Sequence, residues 1–205
     1  MPLLDSYLPV FKQVLHMTAA PAMFDDYPQS RQTCINILDH AIREAAQQDV
    51  GEEEKEAAQV AVIAWLDETV LCSMLTWRHR WQCELLQRKY LNITVAGEYF
   101  FTCLSQLDPA HVQARKVFLF CLQQGFHGQY SSPDDRQTLE QEIAEQRRLC
   151  LPEAWQTWPN EAAIVPAPFI PAGTVTQHLR PLMSTAIGIL LLYTILYFSL
   201  YHYMF

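Results

Sequence analysis

The chain has 205 residues, half of them hydrophobic and only six of them glycine, enough to bury a core of ordinary domain size. A formal charge of −8 excludes a nucleic-acid footprint, which needs clustered Lys and Arg to neutralise phosphates. The six cysteines, at 34, 72, 83, 103, 121 and 150, form no C-x-x-C pair, and the i, i+4 pair His79 and Cys83 lacks the second pair of ligands a closed zinc site requires. Free, reduced thiols and no metal are expected.

The first residues, "MPLLDSYLPVFKQ", lack a basic n-region and carry Asp5 and Pro9 within their apolar part, so they are not a signal peptide. Residues 3–19 read instead as an amphipathic helix that stops before Pro21. Ile35, Leu38, Ile42 and Ala45 recur at helical spacing and predict a helix over 29–49, closed by Gly51. A new helix then starts with Glu52, Glu53 and Glu54 in its first turn, where the helix dipole favours negative charge, and is expected to run to Trp77. Shorter helices are predicted around 81–90 and 95–107. Asp108 reads as the cap of the next helix, with Pro109 in its first position and Gly125 as its stop. Ser132 and Pro133 repeat that cap-and-proline pattern for a last helix. No segment alternates with period 2, so the expected class is all-α, about seven helices in one bundle or two joined ones.

Prolines at 152, 159, 166, 168 and 171 mark residues 152–178 as a linker, which ends a helical domain over 1–151. Residues 179–205 have another character. From Leu182 to Tyr201 there are twenty residues without a formal charge, the length that crosses about 30 Å of hydrocarbon as a helix. Arg180 precedes this stretch and no Lys or Arg follows it, so the positive-inside rule puts the helical domain in the cytoplasm and the C-terminus in the periplasm. The expectation is a single-pass tail anchor. Ser184 with Gly188, and the i, i+4, i+8 stripe Tyr193, Tyr197 and Tyr201, offer two faces for another membrane helix, as in a dimer or a partner contact.

The feature that bears most directly on function is "VAVIAWLDETVLCSML", Val60–Leu75, where Asp67 and Glu68 stand in an almost wholly apolar run. A helix points the two carboxylates about 100° apart, Asp67 with Val60 and Leu71, Glu68 with Ala61 and Ala64. General acid–base work needs both groups on one substrate atom. Isolated burial of either costs several kcal/mol, so each must meet a cation, accept hydrogen bonds or line a wet cleft. There is no G-x-S-x-G, phosphate loop or H-E-x-x-H, and "GFHGQY" at 125–130 follows a helix, as a stop and tight turn would. No catalytic residue and no cofactor site is assigned.

The segments "WLDETVL" (65–71), "WRHRWQCELLQRKYLN" (77–92), "AGEYFF" (96–101) and "FCLQQGFHGQY" (120–130), followed by the proline-rich linker and the apolar tail, resemble the DotU/IcmH family, called TssL in type VI secretion systems. The resemblance implies a non-enzymatic inner-membrane scaffold whose cytoplasmic domain is a hook of two three-helix bundles with a cleft between them. It implies an IcmF/TssM-like membrane partner, a TssJ-like lipoprotein in the same complex, a TssK-type baseplate protein on the cytoplasmic face, and a dimer or higher oligomer. The family's Leu-Asp-Glu motif maps onto Leu66, Asp67 and Glu68, with Asp67 and Glu68 at the partner-binding cleft. Gly97, Glu98, Phe101, Gly125, Phe126, Gly128 and Tyr130 match its other recurrent positions. Only four residues follow Tyr201, which leaves no room for the peptidoglycan-binding domain of some relatives. The equivalent subunit of a type IVb system is the near alternative, and a membrane-tethered enzyme with an acidic cleft the distant one.

Overall fold

One face of the first helix is apolar at every turn: Leu3, Tyr7, Val10, Phe11, Val14 and Met17 of α1 (Leu3–Ala19) are all buried. The computed structural model describes residues 2–152, and within them α1 packs along both α2 (Tyr27–Ala46) and α3 (Glu52–Leu71). Asp26 starts α2 by accepting the Gln29 N–H at 3.0 Å, with Pro28 in the first turn. The class is the expected one, with no strand among the described residues.

The sequence of α3 explains its place. All eight residues from Val60 to Asp67 are buried, so the helix has no solvent face there and must be enclosed. It contacts α1 and α2, the two short helices α4 (Arg78–Cys83) and α5 (Leu86–Leu91), and then α6 (Ala96–Gln106) and α7 (Val112–Gln123). The last helix, α8 (Arg136–Cys150), lies outside this shell against α7. One continuous core runs through the domain. Phe11 meets Trp65 at 4.5 Å and Phe120 at 4.6 Å between ring centres, joining α1, α3 and α7.

Several boundaries differ from expectation, each for a local reason. α3 stops at Leu71, where the Ser73 hydroxyl donates to the Val70 carbonyl at 2.6 Å and accepts the Leu75 N–H at 3.3 Å, turning the chain before Trp77. The stretch 81–90 is two six-residue helices separated at Glu84 and Leu85, the second ended by Asn92 in the left-handed region at φ 55°. Asp108 caps a turn rather than a helix: its carboxylate accepts the Ala110 N–H at 2.7 Å, and α7 begins only at Val112. Pro133 likewise opens a short 3-10 turn, Pro133–Asp135, whose last N–H reaches the Ser132 carbonyl, so α8 starts at Arg136.

The Leu3 N–H reaches the Gln113 side chain at 3.4 Å, so α1, α3 and α7 all start at one pole. At the other pole the Trp77 indole donates to the Phe24 carbonyl at 2.6 Å. α8 brings the chain back toward the first pole, where Arg115 bonds both Gln146 of α8 and the Leu107 carbonyl.

The cysteines are unpaired: Cys72 and Cys83 are exposed, Cys103 is half-buried, and Cys34, Cys121 and Cys150 are buried. Burial pushes the Cys34 thiol up to about 12 and that of Cys121 well above its ordinary value. Labelling of the native protein with a thiol reagent at neutral pH is expected to modify Cys72 and Cys83 within minutes. Cys34 and Cys121 should react only after unfolding, as read by peptide mass mapping.

Among the described residues no helix is long and apolar enough to cross a membrane. The apolar stretch 182–201, with Ser184, Gly188, Tyr193, Tyr197 and Tyr201, lies outside the described residues, as does most of the linker.

Candidate functional site

The three buried or half-buried carboxylates of α3 each accept backbone N–H groups from a different segment. A helix leaves its first N–H groups without internal acceptors, and α5 and α7 have no capping side chain of their own. Asp67 supplies the cap for α5. Its Oδ1 accepts the Leu86 N–H at 3.1 Å and the Trp81 indole N–H at 2.8 Å, and its Oδ2 accepts the Gln87 N–H at 2.9 Å. Glu54, also buried, accepts the Ala114 N–H at 2.9 Å in the first turn of α7.

Asp67 is only 2% exposed. Burial pushes its carboxyl above the ordinary range, while the three N–H donors and, more weakly, the Arg31 charge pull it back. Arg31 of α2 pairs with Glu84 at 3.1 Å and lies over the Trp81 ring at 5.1 Å. The Tyr27 hydroxyl donates to Glu84 at 3.3 Å, so α2, α4 and α5 are fastened together around the carboxylate of α3.

Glu68 faces elsewhere, as the helical geometry requires. Its Oε1 accepts the His127 N–H at 2.7 Å, its Oε2 accepts the Gly128 N–H at 2.9 Å, and the His127 imidazole Nδ1 stands 3.8 Å from Oε1. The turn it holds carries Gly125 at φ +88° and Gly128 at φ +54°. Gly128 lies against the first turn of α6, where a Cβ on Gly97 would come within 3.1 Å of its Cα. Phe126 meets Phe100 at 4.3 Å, and Tyr130 meets Phe101 at 4.7 Å, edge-on.

The structure thus brings Glu68, Gly97, Phe101, Gly125, Phe126, Gly128 and Tyr130 into one knot joining α3, α6 and the turn after α7. Leu66 is a core residue with no exposed surface, and Glu98 is exposed on α6 outside the knot. Asp67, expected at a partner-binding cleft, is buried, and its oxygens accept the N–H groups of Trp81, Leu86 and Gln87. Glu68 keeps a partly exposed side chain, but both of its oxygens are engaged by the turn. Sequence reasoning missed Glu54 as a structural acid. Its i, i+4, i+7, i+11 spacing with Ala58, Ala61 and Trp65 puts it on an inward face and was a readable signal.

An open groove lies elsewhere, between the first half of α3, α5 and its following loop, α6 and the 107–111 loop, with a volume of about 1060 Å³. Glu53, Glu56, Tyr99 and Asp108 line it; Asp67 and Glu68 do not. Among the described residues no group of three or more His, Cys, Asp or Glu could hold a metal ion. Because the carboxylates of α3 that lie side by side bind separate backbone segments, their geometry is that of braces rather than of an acid–base pair.

Comparison with known proteins bears on the whole chain. The fold is similar to the cytoplasmic domain of TssL from Acinetobacter baumannii, with a TM-score of 0.65 at 22% identity over 73% of this chain and 97% of that one. It is also similar to TssL from Vibrio cholerae, with a TM-score of 0.62 at 25% identity over 72% of this chain and 94% of that one. No curated protein matches the sequence. The family model of the type VI secretion system protein DotU matches residues 2–204, and the chain therefore belongs to the DotU family of type VI secretion system proteins.

Proposed function

We propose that this DotU-family chain is a tail-anchored inner-membrane scaffold subunit of a type VI secretion membrane complex, joining an IcmF/TssM-like membrane partner to the cytoplasmic baseplate. The observation that supports it best is the extent of the family match, which runs to residue 204 and so takes in the charge-free stretch 182–201. In this reading the 1–151 domain faces the cytoplasm, the linker 152–178 separates it from the bilayer, and residues 179–205 anchor it. The Ser184/Gly188 face and the Tyr193/Tyr197/Tyr201 face mediate self-association and contact with the membrane partner. A TssJ-like lipoprotein belongs to the same complex, and a TssK-type baseplate protein docks from the cytoplasm. A scaffold also accords with the carboxylates of α3, which are engaged in holding backbone rather than directed at a substrate.

Alkaline extraction of membranes tests the anchor. The full chain is expected to stay in the pellet, and a chain ending at Leu151 in the supernatant; release of the full chain would reject the anchor. A bacterial two-hybrid assay of residues 179–205 is expected to show self-association that Gly188→Leu lowers at least threefold, and an unchanged signal would reject that face.

A further inference from the structure

We propose that α8 is a hinged strap, which lifts off α7 as one unit while the rest of the helical domain stays folded. Its footing is narrow. Six of its fifteen residues are charged, and its inner stripe is Leu139, the half-buried Ile143, Gln146 and Cys150, at i, i+4, i+7 and i+11. A polar Gln146 stands where a docked helix ordinarily places an apolar side chain. Three residues of α8 are buried, against seven of α1, which is only two residues longer.

The seam beneath α8 is polar at its centre. Arg115 of α7 is only 4% exposed, and its two bonded acceptors are neutral: Gln146 Oε1 at 2.6 Å and the Leu107 carbonyl at 3.0 Å. No carboxylate pairs with it among the described residues, and its Nε is enclosed without an acceptor, as is that of Arg147. Glu142 is one hydrogen bond further out, on Gln146 Nε2 at 2.8 Å, and Glu145 is held by Arg148. Docking α8 therefore takes a guanidinium out of water without a countercharge, a penalty that is relieved when the helix lifts.

The surroundings let α8 move alone. The knot around Glu68 holds the chain as far as Tyr130, and Ser131, Ser132 and Asp134 are exposed before α8 begins at Arg136. Beneath it, α7 is fixed by other elements: Glu54 of α3 caps its first turn, and Phe120 packs on Phe11 of α1. Lifting α8 leaves those contacts in place and uncovers the face of α7 that carries Arg115, Leu119 and Leu122 at i, i+4 and i+7. Few buried apolar contacts and a separate hinge are what allow one element to open below the energy of global unfolding. α8 is the last described helix before the linker, so a pull on the C-terminal segment reaches the domain through it. The opening belongs to the helical domain and holds whether or not residues 179–205 enter a bilayer.

Cys150, on the inner stripe of α8, reports the opening. The test labels the full chain with a thiol reagent at neutral pH and follows Cys34, Cys121 and Cys150 by peptide mass mapping. Cys150 is expected to react at least tenfold faster than the other two. Leu139→Lys loosens the opposite end of the stripe, about 16 Å away along the helix, and should raise the Cys150 rate at least fivefold, with Cys34 and Cys121 within twofold. Arg115→Met with Gln146→Leu makes the seam apolar at similar volume and should lower the Cys150 rate at least fivefold. Equal rates at the three cysteines in the wild type would overturn the proposal, since α8 would then open only with the whole domain. A Cys150 rate indifferent to Leu139→Lys would do the same, because fraying of the last turn behaves that way. A rate unchanged or raised by the double substitution, with Cys34 and Cys121 still protected, would make the Arg115–Gln146 pair a clamp and reject the strap. Should a variant label Cys34 and Cys121 at the unfolded rate, hydrogen exchange of the wild type decides instead. Amides of α8 exchanging at one common rate, at least tenfold above those of Val60–Leu66, support the strap; amides of α8 exchanging no faster than those of α3 reject it.

Discussion

Asp67→Ala is expected to destabilise the domain by about 4 kcal/mol, measured by urea unfolding of residues 1–158 at pH 7. The size follows from what is left behind. The substitution strands the indole N–H of Trp81 and the backbone N–H groups of Leu86 and Gln87 without their acceptor. Leu86 and Gln87 are buried, and so is Trp81, so water cannot replace the lost bonds without opening the packing of α4 and α5 on α3. Each buried unsatisfied donor costs about 1–3 kcal/mol, and the small cavity adds to that. A loss below about 1 kcal/mol would show that the carboxylate is not the cap of α5.

Asp67→Asn separates hydrogen bonding from charge. It keeps one acceptor oxygen and removes the cost of an ionised group in a dry site, so it should lose less than the alanine variant. Because burial holds the Asp67 carboxyl above its ordinary value, the folded state binds its proton more tightly than the unfolded state does. The stability that this group contributes is therefore fully present below the unfolded value near 3.9 and is lost as pH rises through the folded value. The gap between wild type and Asp67→Asn is expected to narrow as pH is raised from 4 to 7. A gap that widens over that range would reverse the assignment and make the N–H donors, not burial, the dominant influence.

The fold was legible where apolar residues recur at helical spacing, and less so where polar side chains redirect backbone. α1 was readable to both ends because Leu3 to Met17 keep one buried face. The mid-region was harder, since the end of α3 is set by Ser73 and the break between α4 and α5 by Asp67, which lies 19 residues before Leu86. Asp108–Pro109 and Ser132–Pro133 carry helix-start signals, yet each starts a turn, because a cap-and-proline pair also suits a tight turn.

The same limit applies to the site. Helical geometry alone separated Asp67 from Glu68, and that separation is what lets one helix brace two segments. What each carboxylate meets depends on residues 14 to 60 positions away, and no local pattern carries that information. The Gly, Phe and Tyr positions of 97–130 entered only as matches to the resembled family, and what they do became visible in the structure, where Gly128 lies against Gly97 in the first turn of α6.

Gly128→Ala is expected to cost about 4 kcal/mol, against about 1–2 kcal/mol for Gly125→Ala three residues earlier in the same turn. Both glycines have positive φ, +54° at Gly128 and +88° at Gly125, so both substitutions carry the left-handed backbone penalty. Only Gly128 lacks space. A Cβ there would stand 2.7 Å from the Gly97 carbonyl oxygen, 2.9 Å from the Phe126 ring and 3.0 Å from the Phe101 ring, whereas a Cβ on Gly125 meets nothing within 4 Å. The Gly97 oxygen is backbone in the first turn of α6 and cannot rotate aside, so the turn must lift away, and lifting it pulls the Gly128 and His127 N–H groups off Glu68. The clash and the clamp are therefore coupled. Glu68→Ala alone should cost about 1–2 kcal/mol, because the turn is partly exposed and water takes over part of its hydrogen bonding. In the Gly128→Ala background the same substitution should cost at least 1 kcal/mol less, which a double-mutant cycle on residues 1–158 reads directly. Strict additivity would mean that the carboxylate and the glycine act on the turn independently, and that the knot joining α3, α6 and residues 125–130 is not one unit.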